Sequence, residues 1–75
     1  MISYFIEDKN GNLFLQHYYV GELKPTTKEE GFGKYVGDIG KNSLRDFLES
    51  EFSSYKIKEK GLKIVGYKNV LMKEI

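Results

Sequence analysis

Along the first twenty residues two short apolar runs flank Asn10-Gly11, the strongest local signal for a tight antiparallel hairpin. If Asn10 and Gly11 are the central pair of a type I′ turn, both at positive φ, then Lys9 faces Asn12 and the register follows. Glu7 meets Phe14, Ile6 lies opposite Leu15, Tyr4 opposite His17, and Ile2 opposite Tyr19. Side chains alternate between the faces of a strand, so the set containing Ile6 and Leu15 reads as core. Phe5, Phe14, Tyr18 and Val20 fall on the other face, which is too apolar for water and requires a cover.

Gly21 to Gly40 breaks the pattern with the single proline and five glycines, and a loop is the default reading. Thr27-Lys28-Glu29-Glu30 has capping-box spacing, and Phe32, Tyr35, Val36 and Ile39 recur at helical intervals. The glycines weaken a helix there, which favours an irregular segment anchored by Phe32, Tyr35 and Val36. A clear helix follows, with Ser43 as N-cap, Leu44, Phe47, Leu48 and Phe52 as one apolar stripe, and Arg45, Asp46, Glu49 and Glu51 elsewhere. Arg45 and Glu49 have the spacing of an ion pair along that helix.

From Ser54 the period switches to two. Tyr55 and Ile57 alternate with Lys56 and Lys58, Lys60-Gly61 offers a turn, and Leu62 to Val65 and Val70 to Ile75 read as two further strands separated by Gly66 to Asn69. The expected fold is α+β, an antiparallel sheet with one clear helix in the order β-β-loop-α-β-β-β, as a single small domain over residues 1–75.

Composition narrows the function classes. At 75 residues the core contributes a net stability of only about 3–5 kcal/mol, so self-association is a plausible staple. The chain has no cysteine for a disulfide or thiolate site, which fits a reducing, cytoplasmic setting. No apolar stretch approaches the ~20 residues that span a bilayer, so no membrane role is expected. Net charge is +1, but residues 1–52 carry six basic and nine acidic side chains, whereas residues 53–75 carry six lysines and two glutamates. Arg45 is the single arginine, which weighs against specific phosphate or base readout.

Candidate chemistry is sparse. Gly37-Asp38-Ile39-Gly40-Lys41-Asn42-Ser43 invites a phosphate-loop reading, but Tyr35 and Asn42 stand where the Walker pattern needs Gly and Ser or Thr. Gly37 and Gly40 with Lys41 also resemble the G-x-x-G loop that joins two helices in KH nucleic-acid-binding domains; Asp38 and the acidic helix face oppose phosphate there. His17 is the one histidine and is directed toward the core beside Tyr4. Glu7-Asp8 and Glu29-Glu30 diverge as sequence neighbours instead of converging on a substrate. No enzyme, cofactor or metal site is expected from these residues.

Two readings of function remain. In the first, the chain is a small non-enzymatic interaction protein that occupies a partner's surface, the partner being another protein or a second copy. Phe5, Phe14 and Tyr18 then supply an apolar contact, and Glu29, Glu30, Asp38, Asp46, Glu49 and Glu51 an acidic one that orients docking. In bulk properties such a chain resembles the accessory regulators and inhibitors encoded by phages and mobile elements. In the second reading, Lys56, Lys58, Lys60 and Lys63 on the C-terminal strands bind nucleic acid; alternating lysines that protect a sheet edge are the plainer explanation.

Overall fold

The computed structural model describes residues 2–17 and 22–68. The elements are β1 (Ile2–Glu7), β2 (Leu13–Gln16), β3 (Leu23–Thr26), α1 (Lys28–Gly31), α2 (Gly37–Glu51), α3 (Ser54–Lys60) and β4 (Lys63–Lys68). The strands form one antiparallel sheet in the order β3-β2-β1-β4. The fold is α+β, as expected. No helix among the described residues is long and apolar enough to cross a membrane.

The first hairpin forms, but with a different turn. Gly11 sits at φ +85°, whereas Asn10 does not adopt positive φ, so a type I′ turn is absent. Instead the Gly11 N–H donates to the Asp8 carbonyl, and the Asp8 N–H donates to the Asn12 carbonyl, each at 3.1 Å. The Asp8 carboxylate accepts from the Asn10 and Asn12 N–H groups at 2.9 and 3.0 Å. Lys9-Asn10-Gly11 is therefore a three-residue loop ending in a left-handed glycine, the next most common hairpin connection. The register slips by one, with Ile6 opposite Phe14 and Glu7 opposite Leu13. The expected pairing of Ile6 with Leu15 is thereby corrected, and Phe14 changes face.

Beyond those two pairs the strands part. Val36 bridges Ser3, and the Tyr4 N–H donates to the Tyr35 carbonyl at 2.7 Å, so the chain after α1 takes the place beside β1. Tyr4 consequently does not face His17, and the proposed Ile2 partner Tyr19 lies outside the described residues.

Two covers result. On one face Ile6, Leu44, Phe47, Leu48 and Leu62 form the buried core, so α2 packs through the stripe its spacing predicts. On the other face lies Phe5, fully buried. Gly31 packs directly on the Phe5 ring, where a side chain of its own would collide with it. Phe32 and Tyr67 meet the same ring edge-on at 6.1 and 5.9 Å. Ser3, also fully buried, accepts the Gly33 N–H at 3.0 Å. Neighbours on β1 point to opposite faces, so α1 and α2 lie on opposite sides of the sheet.

Several elements depart from the sequence pattern. The segment read as loop holds β3 and the single-turn α1, whose N-cap Thr27 accepts the Glu30 N–H at 3.2 Å. Helix α2 begins at Gly37, six residues before Ser43, without a side-chain cap. Ser54–Lys60 is a helix, not a strand: Ser53 caps it by accepting the Lys56 N–H at 3.2 Å, and Gly61 ends it in the left-handed conformation at φ 65°. Strand β4 runs straight through Gly66, which faces Tyr4 and leaves space for its ring. The expected strand Val70 to Ile75 lies outside the described residues.

Candidate functional site

The hairpin loop, the end of α2, the end of α3 and the inner edge of β3 converge on one cleft of about 390 Å³. Its floor is apolar, made by Phe14, Leu23, Phe52 and Leu62. Its rim is polar, made by Asp8, Lys9, Asn10 and Lys60. The volume falls within the range of about 300–1,000 Å³ that small-molecule and side-chain sites occupy. A neighbouring hollow shares Phe52 and Lys60 with it and is bordered by Glu51, Ser53 and Lys56.

Local rules hold these residues in place. The Lys9 N–H donates to the Lys60 carbonyl at 3.1 Å, which ties the hairpin loop to the end of α3. Phe52 is the C-cap of α2 and meets Phe47 edge-on at 6.2 Å, so the floor is continuous with the core. Leu62 follows the glycine cap, and its N–H donates to the Ile57 carbonyl at 2.9 Å.

The electrostatics of the rim are one-sided. Lys9, Lys56 and Lys60 are exposed and have no ion-pair partner among the described residues. Asp8 on the cleft rim is occupied by its own loop, and Glu51 borders the adjoining hollow together with Lys56 and Lys60. Burial pushes the Asp8 carboxyl up, but the donors converging on it, Asn12 by backbone and side chain with the Asn10 and Gly11 backbones, together hold it below the ordinary carboxylate range. It remains ionised and committed to the turn.

The other predicted site residues are dispersed. Phe5 is enclosed by its own chain, out of a partner's reach, while Phe14 lies on the opposite face and reaches the cleft; the shared apolar face of Phe5, Phe14 and Tyr18 is therefore not formed, and Tyr18 lies outside the described residues. Glu29 and Glu30 are exposed on α1, on the far side of the sheet from the exposed Asp46 and Glu49 of α2, so the acidic residues do not make one surface. Arg45 donates to Asn42 at 3.4 Å and does not pair with Glu49.

Lysines 56, 58 and 60 ride on helix α3, not on a sheet. Lys56 and Lys60 share one side of it, and Lys58 is turned away. Lys63 lies on β4 and pairs with Glu7 at 3.6 Å. The Glu7 carboxylate also accepts from the Tyr67 hydroxyl at 3.3 Å, and the Lys28 ammonium sits 4.1 Å from the Tyr67 ring centre. Burial first, then the adjacent Glu7 charge and hydrogen bond, push the Tyr67 hydroxyl above its ordinary pKa. This network fastens α1 to the sheet.

Gly37 to Gly40 forms the first turn of α2 and not a loop between helices, and Gly40 is buried against the Tyr35 backbone. The likeness to a G-x-x-G clamp does not survive that placement. His17 is half-buried with its Nδ1 3.9 Å from Glu22. Among the described residues no group of three or more His, Asp or Glu side chains is placed to hold a metal.

Sequence reasoning missed Lys9, Leu23, Phe52 and Leu62 as members of one site. Leu23 was hidden in a segment read as loop, although a proline two residues on is compatible with an edge strand. The Ser53 cap and Gly61 were the available signals for α3. No protein-family model, curated protein or solved structure matches the chain.

Proposed function

We propose that this chain is a small non-enzymatic interaction protein that engages a partner, another protein or a second copy of itself, through the cleft between the hairpin loop and helix α3. The observation that carries the reading is a concave apolar floor of Phe14, Leu23, Phe52 and Leu62 rimmed by lysines that have no ion-pair partner among the described residues. Such a surface combines area that gains from leaving water with charges that orient an approaching acidic surface. The apolar contact set thus shifts from the sheet face around Phe5 to the cleft around Phe14. A role as a regulator or inhibitor of that partner is part of the same proposal.

The test is a charge reversal that leaves the core alone. Lys9→Glu with Lys60→Glu changes two exposed side chains, so a cooperative melt is expected to persist, lowered slightly by the acid placed in the last turn of α3. Affinity capture from the native host should then yield a protein bound by wild type and lost by the double variant, with nuclease treatment making no difference. Capture of the same proteins by both forms with self-association unchanged, or binding that nuclease abolishes, contradicts the reading. The second outcome would favour the lysines as a nucleic-acid surface instead, and steep weakening with salt would support that.

A further inference from the structure

The chain carries a counterpart to its own cleft. Ile39 is 85% exposed on α2, the most exposed large aliphatic side chain among the described residues. On a helix of 3.6 residues per turn, Asp46 lies two turns further along the same side, and Asp38 is the adjoining residue. Both are exposed, and neither has an ion-pair partner among the described residues. An apolar anchor flanked by the carboxylates of Asp38 and Asp46, with Glu49 and the cation Arg45 further along the exposed side of α2, is opposite in sign to an apolar floor flanked by lysines that have no ion-pair partner among the described residues.

Resting on the interaction reading above, we propose that the occupant of the cleft is a second copy of this chain. Its Ile39 meets the floor of Phe14, Leu23, Phe52 and Leu62, and its Asp38 and Asp46 meet Lys9 and Lys60. Ile39 and the Phe52 end of α2 are separated by thirteen residues of helix, about 20 Å. In the proposed assembly a two-fold axis joins the copies by two equal contacts, so that both clefts are filled and the assembly closes as a dimer; sedimentation to larger species with rising concentration would instead mark a head-to-tail chain and overturn that closure. Because each contact combines charge pairs with apolar burial, association weakens with added salt but is not abolished by it.

Sedimentation velocity on the full chain from about 10 µM to about 1 mM follows the equilibrium directly, since dimer formation depends on protomer concentration. Wild type should form dimers in that range. Ile39→Asp and the Lys9→Glu/Lys60→Glu double variant should each weaken association by about tenfold or more while melting cooperatively. The double variant combined with Asp38→Lys and Asp46→Lys, which exchanges the charges across both contacts, should restore it. A chain that stays monomeric at the highest concentration, association indifferent to Ile39→Asp, or a charge exchange that restores nothing overturns the proposal. A monomeric wild type whose captured host protein is nevertheless lost by the double variant overturns the second copy as occupant and leaves the interaction reading standing. Dimers of the kind described, with host capture independent of the cleft, support the second copy as occupant and set aside another protein.

Discussion

At the scale of single residues, Asp8 decides the hairpin. Its carboxylate collects N–H groups from Asn10 and Asn12, which selects the three-residue loop over the two-residue turn that Asn10-Gly11 invites. A carboxylate held below its ordinary pKa contributes stability above the unfolded value near 3.9, and that contribution is lost as pH falls through the lower native value. Asp8→Asn keeps an acceptor but removes the charge. Wild type should therefore melt higher than Asp8→Asn near neutrality, and the two melting temperatures should converge as acid is added; a constant difference across the titration would show that the charge is immaterial. Gly31 is the second decisive residue. Its lack of a side chain lets α1 lie on the Phe5 ring, so Gly31→Ala should destabilise by about 1–3 kcal/mol in urea unfolding, as overpacked sites do.

At the scale of elements, α2 and α3 show which local signals prevail. The apolar stripe of α2 was legible because Leu44, Phe47 and Leu48 repeat at the helical period, and each is buried. Phe47→Ala should cost about 3–5 kcal/mol, comparable to the whole stability of so small a domain, and circular dichroism should show a largely unfolded chain. Its N-terminus was misplaced because the six residues before Ser43 join the helix without a side-chain cap, Gly40 fitting closely over the Tyr35 backbone that leads into it. In α3 the alternation of Tyr55 and Ile57 with lysines suggested a strand, yet Tyr55 is 71% exposed and contributes nothing to a buried face. Good helix formers between a serine cap and a left-handed glycine outweigh two apolar residues at period two. Ser53→Ala should lower stability by about 1 kcal/mol, measured by urea denaturation, through loss of the Lys56 N–H acceptor. An unchanged midpoint would mean that α3 is held by the packing of Ile57 alone.

At the scale of the whole molecule, one sheet serves two half-cores, with α2 covering Ile6 and α1 with Phe32 covering Phe5. The two share strand β1, so loss of either removes support from the other. Phe5→Ser, which places a hydroxyl in a fully buried apolar site, should abolish the cooperative melt of the entire chain, with α2 and α3 lost together with α1. A partial loss of helix signal confined to one turn would mean that the Ile6 side folds on its own. By itself the sequence determined the α+β class, the existence of the first hairpin, the stripe of α2 and the caps at Ser53, Gly61 and Thr27, because these depend on side-chain period and on hydrogen bonds within a few residues. Only the tertiary structure decided the cover over Phe5 and the cleft that gathers Lys9, Phe14, Leu23, Phe52 and Lys60. Those features depend on residues far apart in sequence meeting across the sheet, whereas the one-position slip that moves Phe14 from one face to the other is set locally by the Asp8 loop.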